Sequence, residues 1–179
     1  MPKTAILAPV LLSVLLFTSG CAQWKWLQLP DRPFARISGP RIGKPAPELD
    51  GEDFDGKRVK LSDQRGKVVV VVFWSTNCPP CRKMIPHERE MVERLRDKPF
   101  TLISVNNDQD HDAARTMIAA ERMTWTNVKT AGASDPINRR WRVEAWPSIY
   151  VIDQKGVLRS THLRGADLER TVEALLAES

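Results

Sequence analysis

Phe73-Trp74-Ser75-Thr76-Asn77-Cys78-Pro79-Pro80-Cys81-Arg82 sets two cysteines three positions apart, directly after the valine-rich run Val68 to Val72. A continuous run of β-branched and aromatic residues fits a strand buried on both faces, in the middle of a sheet covered by helices. Pro79 and Pro80 suit the first turn of a helix, where their missing N–H groups would have no partner in any case. A strand that ends in Cys-x-x-Cys and opens into a helix suits two thiols that close into a disulfide and open again.

A thiol must lose its proton before it attacks. At a helix start the unpaired backbone N–H groups and the dipole favour negative charge, and Arg82 and Lys83 add positive charge nearby. Cys78 is therefore expected as the exposed nucleophile. Cys81, one turn deeper, is expected as the resolving thiol that releases a mixed disulfide. Two alternatives use the same pair: a static bridge, or half of a metal site. Structural zinc needs four ligands, and beyond the pair only His87, His111 and His162 are available, scattered along the chain. A copper carrier needs fewer, since thiolates are soft ligands for Cu(I). The two prolines inside so short a loop favour a working pair, with no metal and no cofactor.

Outward from this stretch, Arg58-Val59-Lys60-Leu61 alternates as a half-buried strand after the turn Phe54-Asp55-Gly56-Lys57. Residues 79–96 read as a helix with Met84, Met91, Val92 and Leu95 on its apolar stripe and a kink at Pro86. A buried strand follows over 100–105, then a helix over 112–123. Asp135-Pro136 opens a short helix through Trp141. Residues 147–152 and 157–163 form a hairpin around Asp153-Gln154-Lys155-Gly156, and 167–176 a closing helix. The order is β, β-α-β-α, then β-β-α. It predicts an α/β fold with a central mixed sheet, helices on both faces and an N-terminal strand extension.

The N-terminus carries an address. Lys3 is a short positive region, 5–17 is apolar, and Thr18-Ser19-Gly20 offers small residues before Cys21. That order is a secretory signal peptide, too short for the ~20 apolar residues of a spanning helix. Phe17-Thr18-Ser19-Gly20-Cys21 resembles a bacterial lipobox, with Thr18 departing from its pattern. Cleavage before Cys21 and acylation of its thiol would account for the odd cysteine among three. The expected organisation is a signal peptide over 1–20, a tether over 21–40 carrying Trp24 and Trp26, and one domain over 41–179. The product is exported to the periplasmic side of a bacterial membrane and contacts it through the N-terminal lipid. The net charge of +5 is spread along the chain, which argues against a nucleic-acid surface.

Gly43-Lys44-Pro45-Ala46-Pro47, Gly66-Lys67-Val68, Phe73-Trp74 with Cys78-Pro79-Pro80-Cys81-Arg82-Lys83, and Trp146-Pro147-Ser148-Ile149-Tyr150-Val151-Ile152-Asp153 follow one another in the chain. Together they resemble the TlpA-like group of thioredoxin-fold proteins, over about residues 41–179. The resemblance implies a thioredoxin-like fold and a thiol–disulfide oxidoreductase acting on a protein dithiol or disulfide. The redox-active disulfide would be Cys78–Cys81, with a cis Pro147 facing it. It implies action as a reductant, fed by a membrane electron donor, in some members for cytochrome c maturation. Trp146 and Pro147 would line the substrate groove, and Trp74 would pack beneath the site.

The departures concern the proton. Val72 stands where thioredoxins bury an Asp, Met84 where reductases of this group often carry Glu, and Asn77 where the family usually has Trp. Glu144, three residues before Pro147, is the nearest replacement acid. His87 falls about two and a half helical turns beyond Cys78 and faces away from it. A thioredoxin-fold peroxidase is a further alternative, but its cysteine needs a Thr three residues earlier, and Ser75 stands there.

Overall fold

Val68 to Trp74 forms a strand whose seven side chains are all buried, and the rest of the fold is arranged around it. The computed structural model describes residues 39–178. The expected signal peptide, Cys21 and the tryptophans of the tether lie outside the described residues. In chain order the strands are β1 (Asp50–Asp53), β2 (Arg58–Lys60), β3 (Val68–Trp74), β4 (Phe100–Asn106), β5 (Thr126–Lys129), β6 (Ser148–Ile152) and β7 (Leu158–Thr161). The helices are α1 (Pro79–Arg94), α2 (His111–Ala120), α3 (Pro136–Trp141) and α4 (Gly165–Ala177). One sheet holds all seven strands in the order β2-β1-β5-β4-β3-β6-β7. Its centre, β5-β4-β3, is parallel; β6 and β7 add antiparallel on one side and β1 and β2 on the other.

The period-2 alternation of a strand divides β3 between two cores. Val68, Val70, Val72 and Trp74 pack with Ile85 and Met91 of α1 and Leu168, Val172 and Leu175 of α4. Val69, Val71 and Phe73 face the opposite layer with Trp141 and Ile137 of α3, Tyr150 and Leu158. There Trp141 meets Tyr150 edge-on at 4.9 Å between ring centroids, and the Tyr150 hydroxyl donates to the Trp141 carbonyl at 2.8 Å. The expected mixed sheet with helices on both faces is thus present, and β1–β2 is the N-terminal extension.

Several boundaries differ from the sequence expectation. β1 and β5 were not anticipated, because Asp50-Gly51-Glu52-Asp53 is acidic and Thr126-Asn127-Val128-Lys129 has one apolar residue. Asp and Gly are poor strand formers; here pairing overrides propensity. Arg58 holds Asp50 at 2.7 Å across β2–β1, and Lys129 holds Glu52 at 2.6 Å across β5–β1. Gly51 is required by space, since a Cβ there would sit 2.7 Å from Val128 Cγ1. In β5 the buried Asn127 is satisfied by Ser104, which donates to its Oδ1, and by the Met123 and Trp125 carbonyls. Leu61 leaves the expected strand and begins a 3-10 turn over Leu61–Gln64. α2 stops at Ala120 rather than at Met123: Arg122 takes a left-handed φ of 53° and sends Met123 into the core.

Candidate active site

β3 ends at Trp74, and four residues later Cys78 caps the start of α1. Its backbone is extended (φ −104°, ψ 97°), and its Sγ accepts a hydrogen bond from the Cys81 N–H at 3.2 Å. Pro79 and Pro80 occupy the first helical positions, and the first turn carries no acidic side chain. Arg82 and Lys83 are exposed beside it. The helix terminus therefore presents its partial positive charge to sulfur with no carboxylate in the first turn to offset it.

Cys78 and Cys81 are joined by a disulfide, with Cα atoms 5.3 Å apart. Cys81 is 3% exposed and Cys78 7%. This differs in degree from the expectation of an exposed Cys78, because in the oxidised pair the sulfur is tucked against Trp74 and the core beneath. The Trp74 indole N–H finds no acceptor among the described residues.

The second half of the site comes from β6. Phe73 pairs with Ser148, so the antiparallel register sets Pro147 opposite Trp74, where the Cys78 loop departs. The Trp146–Pro147 peptide is cis, as the resemblance implies. The Ser148 hydroxyl donates to the Ala145 carbonyl at 2.7 Å, and Arg164 reaches the Pro147 carbonyl at 3.4 Å. Pro147 is buried, while Trp146 is 37% exposed. Trp146 and Ile42 are the exposed large hydrophobic residues among those described.

Glu144, the replacement acid nearest Pro147 in the sequence, is exposed. A buried acid on α1 is Glu88, 3% exposed, on the inward face with Cys81, Ile85 and Met91. Burial pushes its carboxyl up to about 7. Desolvation disfavours the charged form of a carboxyl, and no neighbouring cation opposes it here. The signal was legible in the spacing: Cys81, Ile85 and Glu88 recur at i, i+4 and i+7, which places Glu88 on the buried stripe. His87, one position earlier, points instead toward α4, 3.6 Å from Glu169.

On the other side of the loop, Asp108 just beyond β4 reaches Ser75 and Thr76. Sequence reasoning passed over it. Among the described residues no group of three or more His, Cys, Asp or Glu side chains is clustered to hold a metal, and no helix is long and apolar enough to cross a membrane.

Residues 42–161 match the AhpC/TSA family. The chain belongs to the AhpC/TSA family. Within it, the sequence is 28% identical over 123 residues to the thiol-disulfide oxidoreductase ResA of Bacillus cereus, covering 69% of this chain and 70% of that protein. Among solved structures it resembles the thioredoxin domain of a thiol-disulfide oxidoreductase from Bacteroides vulgatus. The TM-score there is 0.71 and the identity 30%, over 76% of this chain and 98% of that one. It also resembles a putative thiol:disulfide interchange protein DsbE from Chlorobium tepidum, with TM-score 0.71 and 29% identity over 77% and 99% of the two chains. This AhpC/TSA member is thus thioredoxin-like in fold and a thiol–disulfide oxidoreductase in activity, with its disulfide at the Cys-x-x-Cys position.

Proposed function

We propose that the protein reduces a disulfide in an exported protein partner, with Cys78 as nucleophile and Cys81 as resolver, as a TlpA-like member of its family. The observation that carries this is the buried Cys78–Cys81 disulfide at the start of α1, beside Pro147 and the exposed ring of Trp146. In the reduced protein, the Cys78 thiolate attacks one sulfur of the partner disulfide. A mixed disulfide forms and one partner thiolate leaves. Cys81, deprotonated, then attacks Cys78 Sγ, closing Cys78–Cys81 and releasing the second partner thiolate. Two electrons pass to the partner and two protons end on its sulfurs. A membrane dithiol donor returns the pair to its reduced state.

Trp146 and Pro147 are assigned to the groove that receives the partner segment. Signal peptide 1–20, lipidation at Cys21 and a tether over 21–40 would hold domain 41–179 on the periplasmic face of a bacterial membrane, within reach of such a donor. Support for this comes from the order of residues in the first twenty-one positions. Cytochrome c maturation is the assigned setting, on the strength of the TlpA-like motifs alone.

The test is insulin reduction by wild type and by Cys78→Ser, with Cys81→Ser used to trap partners as mixed disulfides. Wild type should turn over and Cys78→Ser should not. Equal rates would end the proposal. Isotope-labelled palmitate should enter wild type but not Cys21→Ser in cells; equal labelling of both removes the lipid anchor.

A further inference from the structure

The loop that carries Cys78 is held from outside by one carboxylate. Asp108 is nine-tenths buried at the end of β4. Its Oδ1 accepts the Ser75 hydroxyl at 2.6 Å, and its Oδ2 accepts both the Thr76 N–H and the Asn106 amide at 2.8 Å. The Asp108 N–H donates back to Asn106 Oδ1 at 3.1 Å, which fixes the carboxylate's own backbone. Asn106 is wholly buried and lies opposite Trp74 in the β3–β4 register. The clamp is therefore anchored in the sheet rather than in a mobile segment.

From Ser75 the bonds continue toward sulfur. The Asn77 N–H donates to Ser75 Oγ at 3.3 Å, and the Cys78 N–H donates to the Ser75 carbonyl at 3.1 Å. Cys78 Sγ in turn sits on the Cys81 N–H at 3.2 Å. Each residue from Ser75 to Cys78 thus has a bond that depends, directly or at one remove, on Asp108. Charge-assisted bonds to a buried carboxylate are the stronger kind, and members of one network do not act independently.

We propose that Asp108 is a positioning residue for the exchange reaction, holding Ser75 and Thr76 so that Cys78 keeps its sulfur on the Cys81 N–H when that sulfur is charged. It rests on Cys78 being the attacking thiol.

The test reads the pH midpoint of Cys78 alkylation by iodoacetamide in the reduced full chain, following the Cys78 peptide by mass spectrometry. Ser75→Ala keeps the Asp108 charge but removes one donor. Both a looser loop and a less compensated carboxylate then oppose the thiolate. The midpoint should rise by about half a unit or more, which is roughly threefold lower reactivity at a pH below it. Asp108→Asn should slow insulin reduction several-fold, and Ser75→Ala added to it should cost nothing further, since both act through one bond network. An unchanged midpoint in Ser75→Ala, even with a lower melting temperature, reduces Asp108 to a structural role and overturns the proposal. Multiplying losses in the double variant overturn it as well. Should Asp108→Asn fail to fold, Ser75→Ala decides alone. Alkylation needs no partner, so wild type that fails to reduce insulin would end the proposed function while leaving this test standing.

Discussion

Glu88 and Cys81 share the inward face of α1, about two helical turns apart, and both are closed off from water. One is an acid on a helix face that packs into a layer of valines, leucines, isoleucines, methionines, Trp74 and Trp125. At its rim Arg94 of α1 pairs with Glu169 and Glu173 of α4, and His87 lies 3.6 Å from Glu169.

Stability should therefore fall as pH rises. Glu88 is raised from 4.5 to about 7 in the folded chain. Between those values the folded state binds more protons than the unfolded one, so the slope of unfolding free energy against pH is negative. The loss amounts to about 3 kcal/mol and is complete above about pH 7. Glu88→Leu should remove this component and be the more stable protein at pH 8. Urea midpoints at pH 5, 6, 7 and 8 for both chains test it; parallel curves would show that Glu88 does not titrate in this range.

The Tyr150 hydroxyl lies in an aromatic cluster with Phe73 and the fully buried Trp141. Tyr150→Phe removes the donor to the Trp141 carbonyl and should cost about 1 kcal/mol. Trp141→Ala removes the largest fully buried side chain described and should cost about 3–5 kcal/mol. Denaturant titration measures both, and a Trp141→Ala loss below that of Tyr150→Phe would mean that the layer collapses to fill the gap.

Asp110 caps α2, accepting from the Asp112 and Ala113 N–H groups at 3.0 and 3.1 Å. Asp110→Ala should destabilise by about 1 kcal/mol and leave insulin reduction unchanged at a temperature where the variant is folded. A changed rate would show that α2 communicates with the redox loop.

Trp146 should separate binding from folding. More than a third of it faces solvent, so Trp146→Ala should alter stability by no more than about 0.5 kcal/mol. If it receives the partner, KM for a disulfide-bonded protein should rise several-fold while small-molecule disulfides react as before. Equal effects on both substrates would place Trp146 outside the groove.

What could be seen in the chain beforehand followed from strong local signals. Val68 to Trp74 could only be a central strand, and Cys78-Pro79-Pro80-Cys81 could only open a helix. What could not be seen was stabilised from a distance. β1 is a strand because Arg58, Lys129 and the space over Val128 make it one, not because Asp-Gly-Glu-Asp favours it. Asp108 stands among several acids and amides in Asn106-Asn107-Asp108-Gln109-Asp110. Nothing local distinguishes it until β3 and β4 lie side by side and Ser75 comes within 2.6 Å. Glu88 differs: its spacing of seven from Cys81 is a local signal that puts it on the buried stripe of α1.

The pairing of β3 with β6 has a consequence for how the molecule is born. β4 follows β3 closely in the chain and pairs with it in parallel, but Phe73 must wait for Ser148. Until that segment emerges, the Cys-x-x-Cys helix has no facing wall, and Val69 and Val71 have no neighbour on that side. Long-range pairings of this kind carry the entropy of closing a large loop and form late. A chain emerging N-terminus first therefore presents its cysteines to the surrounding redox milieu before β6 has closed against β3. The last segments to arrive complete the wall beside two thiols that were already available.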